Sequence, residues 1–276
     1  MTTFLAPFRL LMRLVLPESV LAVYRRFRVL RRLGHGVPGA LRRTLTPGMA
    51  AALSSLNAEY LPPHMMPLDV AVDVGAFQGH FSQSVVQVLR ARQVFAFEPS
   101  PSSYALALQR LARYRQVILA PLAIGGGLGH KTFHTYECAN GDSFRLMDPE
   151  VQSHYSGAPV GQSAALRTGE TEVEVTTLDA RFPPDLFPEL AFVKVDVQGA
   201  ETDVIEGGRD ALRRTRILMI EALFEPHYVG AALFFELHPR LLALGFRLYT
   251  ICPPWRGADG RAMHTDAVYV RDIRVQ

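Results

Sequence analysis

The strongest constraint on the fold is an alternation that begins at Leu68. Short apolar runs, "LDVAVDV" (68–74), "QVFAFE" (93–98), "QVILAP" (116–121), "AFVKVDV" (191–197), "RILMIEA" (216–222) and "FRLYTI" (246–251), are separated by helical stretches at about 80–90, 101–113, 200–213 and 233–244. Near-continuous Val, Ile, Leu and Phe runs suit parallel strands covered on both faces. Repeated strand–helix units predict an α/β chain with a doubly wound, mostly parallel sheet. A C-terminal strand, "AVYVRD" (267–272), is expected to pair antiparallel with 246–251 through the loop containing Trp255. The insertion at about 122–190 is too long for a plain crossover. Its alternating pieces "KTFHTYE" (131–137) and "TEVEVTTLD" (171–179) predict an added hairpin, and the polar loop 139–170 between them suits a substrate-facing lid.

Upstream of this pattern the composition shifts, which divides the chain into an N-terminal part, 1–66, and a main domain, 67–276. Residues 1–45 hold nine arginines against one acid, Glu18, although the whole chain has a net charge of only +3. Two amphipathic stretches, about 4–16 and 20–33, and a third at about 50–60 predict a helical, arginine-rich arm or cap. Such an arm could contact an anionic membrane surface, cover a pocket or join two copies as a homodimer. An ordinary solvated arginine face fits as well, and no nucleic-acid partner is expected. Arg9 and Arg13 interrupt the apolar N-terminal run, which argues against a cleaved signal peptide. With two cysteines, Cys138 and Cys252, and no run of about 18–20 apolar residues, the expected place is the cytoplasm, or the inner face of a membrane as a peripheral protein.

The loop "VDVGAFQGHF" (72–81) follows the first strand and opens the first helix. Gly75 permits a tight turn, and Gly79 lets a ligand or strand approach the helix start. The dinucleotide fingerprint needs glycines at relative positions 1, 3 and 6, but positions 77 and 80 are Phe and His. The remaining Asp-x-Gly-x-x-x-Gly looks like the pattern of class I S-adenosylmethionine methyltransferases. Glu98 ends the second strand, where a carboxylate can accept both ribose hydroxyls. The plainer alternative is an acid at a helix start beside Ser100 and Pro101, and the glycine loop with Glu98 together favour the cofactor. The cofactor-facing set is therefore Asp73, Gly75, Ala76, Phe77, Gly79, Glu98 and Pro99, with Leu122 and Ala123 near the adenine and Asp196 at the fourth strand's end. Asp73 is expected to fix the glycine loop or to receive the cofactor's ammonium.

Taken in order, "DVGAFQG", "FEPSP", "TLD" (177–179), "VKVDVQGAE" (193–201), "VIEGG" (204–208) and "LMIEA" (218–222) resemble the FkbM family of methyltransferases over about residues 68–250. The resemblance implies a Rossmann-like class I fold using S-adenosyl-L-methionine, with methyl transfer to a hydroxyl of a saccharide, glycan or glycolipid. A polyketide-like or amine acceptor, and a non-catalytic membrane-associated module on the same fold, are the alternatives. Two positions depart from the family pattern: Phe77 stands where Asn is usual, and Gln198 where Glu is usual. Gln198 can hydrogen-bond but cannot serve as a base.

Proton removal from a hydroxyl acceptor wants a base or a metal near the transferred methyl. Asp196 and Glu221 fall at the carboxyl ends of neighbouring strands, facing the crevice. Asp196 could be the base with Glu221 orienting the acceptor, or the pair could hold Mg²⁺. Alternatively, Asp196 could be structural, since alternation puts it on the same face as Lys194. His227, just beyond the fifth strand, is the other candidate base; His134 and His154 lie in or beside the insertion. Trp255 could stack on a sugar face or fill a core. Glu201 is expected to open a helix.

Overall fold

The computed structural model describes residues 60–62, 68–136, 141–148, 167–257 and 259–271. The helices expected in the arm, apart from Tyr60, lie outside the described residues, as do Cys138, His154 and most of the 139–170 loop. Pro67–Gln276 forms one compact unit.

Strand β1 (Val70–Val74) leads through a glycine loop into helix α1 (His80–Val88). Then follow β2 (Gln93–Phe97), α2 (Pro101–Leu111) and β3 (Val117–Ala120). The short β4 (Ala123–Ile124) precedes the hairpin of β5 (Gly129–Tyr136) and β6 (Arg167–Thr176). After α3 (Leu178–Arg181) and β7 (Leu190–Val195), two short helices, α4 (Glu201–Glu206) and α5 (Arg209–Arg213), lead to β8 (Thr215–Leu223). Helix α6 (Phe234–Ala243), β9 (Arg247–Ile251), β10 (Trp255–Arg256) and β11 (Ala262–Val270) complete the described chain.

The main sheet runs β10-β11-β8-β7-β1-β2-β3, with β9 also paired to β11. Strands β3, β2, β1, β7 and β8 are parallel, and β11 is antiparallel to β8. All six residues of β7 are buried, as a strand covered on both faces requires. Val72, Val193, Val195, Leu218 and Ile220 join Phe97, Phe182 and Leu212 in one core cluster. Burying each such side chain contributes about 1.5–3 kcal/mol. The chain builds outward from β1 to β3 and then returns to build from β7 to β8. The order therefore reverses between β1 and β7, which is where an open α/β sheet leaves a ligand crevice.

The doubly wound fold class expected from the alternation is the one observed, with three local differences. The 200–213 helix is broken at Gly207–Gly208, where the backbone packs so closely that a Cβ on Gly207 would sit 2.1 Å from the Gly125 carbonyl oxygen. The expected hairpin forms antiparallel, and β4 adds to β6 to make a separate three-stranded sheet. The last strand does pair with β9, but it also inserts beside β8, pairing from His264–Leu223 to Val270–Ile217.

Candidate active site

The glycine loop is held where the sheet order reverses. Gly75 and Ala76 N–H groups both donate to the Phe97 carbonyl, at 3.1 and 2.9 Å, tying the loop to β2. On the other side, the Asp196 N–H donates to the Val74 carbonyl at 3.0 Å. Gly75 adopts φ +82°, and a Cβ there would lie 1.8 Å from the Asp196 carbonyl oxygen. Glycine is therefore required twice, by its backbone angle and by the close approach of β7. Phe77, with φ +49°, donates its N–H to Glu98 Oε2 at 2.6 Å. Glu98 Oε1 accepts the Ser100 N–H at 2.8 Å, so the carboxylate clamps the loop to the start of α2.

A cavity opens over this loop, lined by Gly75, Phe77, Glu98, Pro99, Ala123 and Asp196, all expected cofactor contacts. Asp73, Ala76, Gly79 and Leu122 are not on its wall. Asp73 is buried and accepts the Ser82 hydroxyl at 2.6 Å, which anchors α1 behind the glycine loop. Gly79 faces Leu111 of α2, which makes room for helix packing and not for a ligand or strand. Leu122 packs on the main core.

The sequence reading missed the share taken by the insertion. Phe133, Asp142 and Phe144 complete the wall, with the two rings edge to face at 5.4 Å. Asp142 accepts the Ser100 hydroxyl at 2.9 Å and the Tyr136 N–H at 2.9 Å, and burial pushes its carboxyl up. The only signal was that the insertion follows β3 and must pass the crevice. A polar and aromatic chamber beside a glycine turn suits S-adenosyl-L-methionine: Glu98 would meet the ribose, and the phenylalanines with Ile124 would offer apolar surface to the adenine.

Burial pushes Glu98 up to about 7, with Asp142 and Asp73 adding to the rise. Its folded value exceeds its ordinary one near 4.5, so its ionisation costs stability as pH climbs through that interval. Ribose binding wants the opposite, the ionised acceptor. Affinity for S-adenosylhomocysteine should therefore rise from pH 6 to 8, as read by calorimetry. Glu98→Ala should weaken binding by about 1.5–3 kcal/mol, roughly ten- to a hundredfold, and abolish that pH dependence. An unchanged affinity in the variant would remove Glu98 from the site.

Beyond the cofactor wall lies a buried polar cluster. Lys194 Nζ donates to Asp196 Oδ2 at 2.8 Å, which is the structural pairing that the shared strand face allowed. Burial raises the Asp196 carboxyl, but the pull of Lys194 and the Gln198 amide leaves it below its ordinary value. An acid so held is a poor proton acceptor near neutral pH, which corrects the expectation that Asp196 is the base. Gln198 takes φ +55° and donates Nε2 to Asp196 Oδ1 at 2.7 Å and to Glu221 Oε2 at 3.2 Å. Its Oε1 accepts the Tyr228 hydroxyl at 2.6 Å, and its carbonyl accepts the Ser143 hydroxyl at 2.6 Å. The amide thus stands between the two carboxylates that were expected to share Mg²⁺. Among the described residues no group of three or more His, Cys, Asp or Glu is placed to hold a metal.

Glu221 does reach the cluster. Burial and Asp196 push it up, opposed by His264, whose Nδ1 lies 3.1 Å from Glu221 Oε1. Glu201 opens α4 as expected, accepts the Val197 and Gly199 N–H groups at 3.2 Å, and is pushed up to about 8 by burial and Glu221. His227 is only 1% exposed, outside the cavity wall, and pushed down to about 4 by burial and by His264. It is therefore not placed to serve as the acceptor's base. His134 lies in β5 beside Glu170, 3.2 Å away.

A model of the methyltransferase FkbM domain matches residues 73–248, the glycine loop through β9. The chain belongs to the FkbM methyltransferase family. This makes it an S-adenosyl-L-methionine-dependent methyltransferase, in agreement with the cavity. Over 166 residues it is 28% identical to the 2-O-methyltransferase NoeI of Sinorhizobium fredii, covering 59% of this chain and 67% of that one. The solved methyltransferase FkbM of Methylobacillus flagellatus matches 92% of this chain at 14% identity and a TM-score of 0.46; this chain spans 60% of that protein. TrmK of M. capricolum, solved with S-adenosylhomocysteine, matches 74% at 7% identity and a TM-score of 0.39, over 62% of its own length. No helix among the described residues of this FkbM methyltransferase is long and apolar enough to cross a membrane.

Proposed function

We propose that this FkbM methyltransferase methylates a hydroxyl oxygen of a saccharide, glycan or glycolipid. The observation that carries the reading is the 28% identity to a 2-O-methyltransferase, an enzyme whose acceptor atom is oxygen. The crevice agrees with it in character. Asp196, Gln198, Glu221 and His264 gather hydrogen-bonding groups of both kinds beside the cofactor cavity, as a polyhydroxylated acceptor needs. Trp255, 37% exposed, stands at their outer side with its ring 5.5 Å from that of His264. An exposed aromatic next to polar groups suits the apolar face of a sugar ring.

The bound cofactor supplies a methyl group activated by the sulfonium. The protein's part is to hold the acceptor oxygen close and in line, and to manage its proton. Labelled S-adenosyl-L-methionine with sugar, polyketide-like and amine acceptors, with and without EDTA, tests the reading. Label transfer to saccharide hydroxyls that is insensitive to EDTA is expected. Transfer confined to amines, or no binding of S-adenosylhomocysteine at tens of micromolar, would overturn it.

A further inference from the structure

We propose that Asp142 selects the adenine of the cofactor, its carboxylate accepting a hydrogen bond from the exocyclic amine. The choice of nucleobase then rests with the insertion and not with the glycine loop. The inference goes beyond the acceptor reading and does not depend on it.

Three observations carry it. First, the cavity wall follows the order of the sheet: Asp196 comes after β7, Gly75 after β1, Glu98 after β2 and Ala123 after β3. With the ribose at Glu98, one half of the cofactor runs toward β7 and the other toward β3. The β7 side is polar, with Asp196 and Gln198. On the β3 side Ala123 and Phe133 share a small apolar cluster against which Phe144 packs. Apolar and aromatic surface is what a purine ring wants, so the adenine belongs on the β3 side.

Second, Asp142 stands on that side. Its Oδ2 accepts the hydroxyl of Ser100, two residues beyond Glu98, at 2.9 Å. Its Oδ1 accepts the N–H of Tyr136, the last residue of β5, at 2.9 Å. The next residue, Ser143, donates its hydroxyl to the Gln198 carbonyl at 2.6 Å. The segment therefore crosses the crevice, with the Asp142 carboxylate turned toward β2 and β3.

Third, Asp142 is the wall's acceptor with capacity left. Each of its oxygens takes one neutral donor, whereas an ionised carboxylate offers about four lone-pair sites. It is 8% exposed, and among the described residues no Lys, Arg or His lines the wall. A buried carboxylate without a cation gains from every further donor it can accept. The other wall acids are engaged: Asp196 holds Lys194 and Gln198, and Glu98 holds two backbone N–H groups and would meet the ribose. The adenine amine is a pure donor facing a pure acceptor. Hypoxanthine carries a carbonyl oxygen at the same position, so two acceptors would meet with no proton between them, and the carboxylate would reject it.

Calorimetry on the full-length protein with S-adenosylhomocysteine and S-inosylhomocysteine, which differ only in the purine, tests this. Wild type should bind the adenosine compound about 10²-fold more tightly. Asp142→Ala should weaken it and bring the two ligands within about fivefold of each other. Asp142→Asn can offer an amide N–H to the carbonyl and should strengthen binding of the inosine compound. A residue that only holds the insertion in place would lower both affinities by the same factor, and that result overturns the proposal. So does a wild-type protein that binds the two ligands within about threefold, an outcome that stands even if Asp142→Ala fails to fold. The acceptor panel uses neither ligand pair, so the oxygen reading and this one fail separately.

Discussion

Gly75→Ala should abolish S-adenosylhomocysteine binding and destabilise the domain by more than about 3 kcal/mol, a loss of roughly 6–12 °C in melting temperature. A methyl group there would sit 1.8 Å from the Asp196 carbonyl oxygen, and φ is +82°. Rotating a side chain cannot relieve either fault, since the clash is with backbone and the added group is the Cβ itself. The loop or the end of β7 must move. Both are pinned: the loop by two N–H donors to Phe97, and β7 by the Asp196 N–H to Val74. Displacing Asp196 also breaks its contacts with Lys194 and Gln198, so the cofactor cavity and the polar cluster fail together. Thermal unfolding with and without S-adenosylhomocysteine measures both effects. A variant melting within about 2 °C of wild type and binding normally would show that the loop is not held as described.

Asp196→Asn is expected to cost about 3 kcal/mol or more, because it leaves a buried ammonium without its partner. Lys194 is 8% exposed, and its contact with Asp196 is 2.8 Å. Burial alone would lower the Lys194 ammonium, but Asp196 first, then Asp73 and Asp266, hold it above its ordinary value. The signs follow for pH. The folded Asp196 is held below its usual value, so its contribution is present at neutral pH and is lost as pH falls through the folded value. The double variant Lys194→Met/Asp196→Asn should recover part of the loss, since removing both charges costs less than orphaning one. If Asp196→Asn is as stable as wild type by denaturant unfolding, the pair is not a structural ion pair.

The fold was legible because its signal is periodic. Val193 and Val195 inside a fully buried strand, and the turn at Gly75, leave few topologies open. The cofactor wall was legible only in part. Gly75, Phe77, Glu98 and Pro99 follow their strands directly, so local sequence placed them. Phe133, Asp142 and Phe144 arrive from a hairpin whose docking depends on tertiary contacts such as Ser143 to Gln198. Likewise, "KVDV" showed that Lys194 and Asp196 share a face, yet nothing in the string said that the lysine would be buried there. His264 was invisible for another reason. It lies three residues outside the stretch read as a strand, 267–272, and reaches the polar cluster only because β11 pairs with β8 and not just with β9.

That pairing makes β11 the strand on which the C-terminal edge of the sheet depends. Strands β9 and β10 leave the ribosome before β11, but among the described residues they join the main sheet only through it. His264 and Trp255 take their places only when β11 fills that edge. One strand therefore holds the whole C-terminal edge in place: without β11, β9 and β10 would keep no pairing to the parallel strands, although those strands pair among themselves without it.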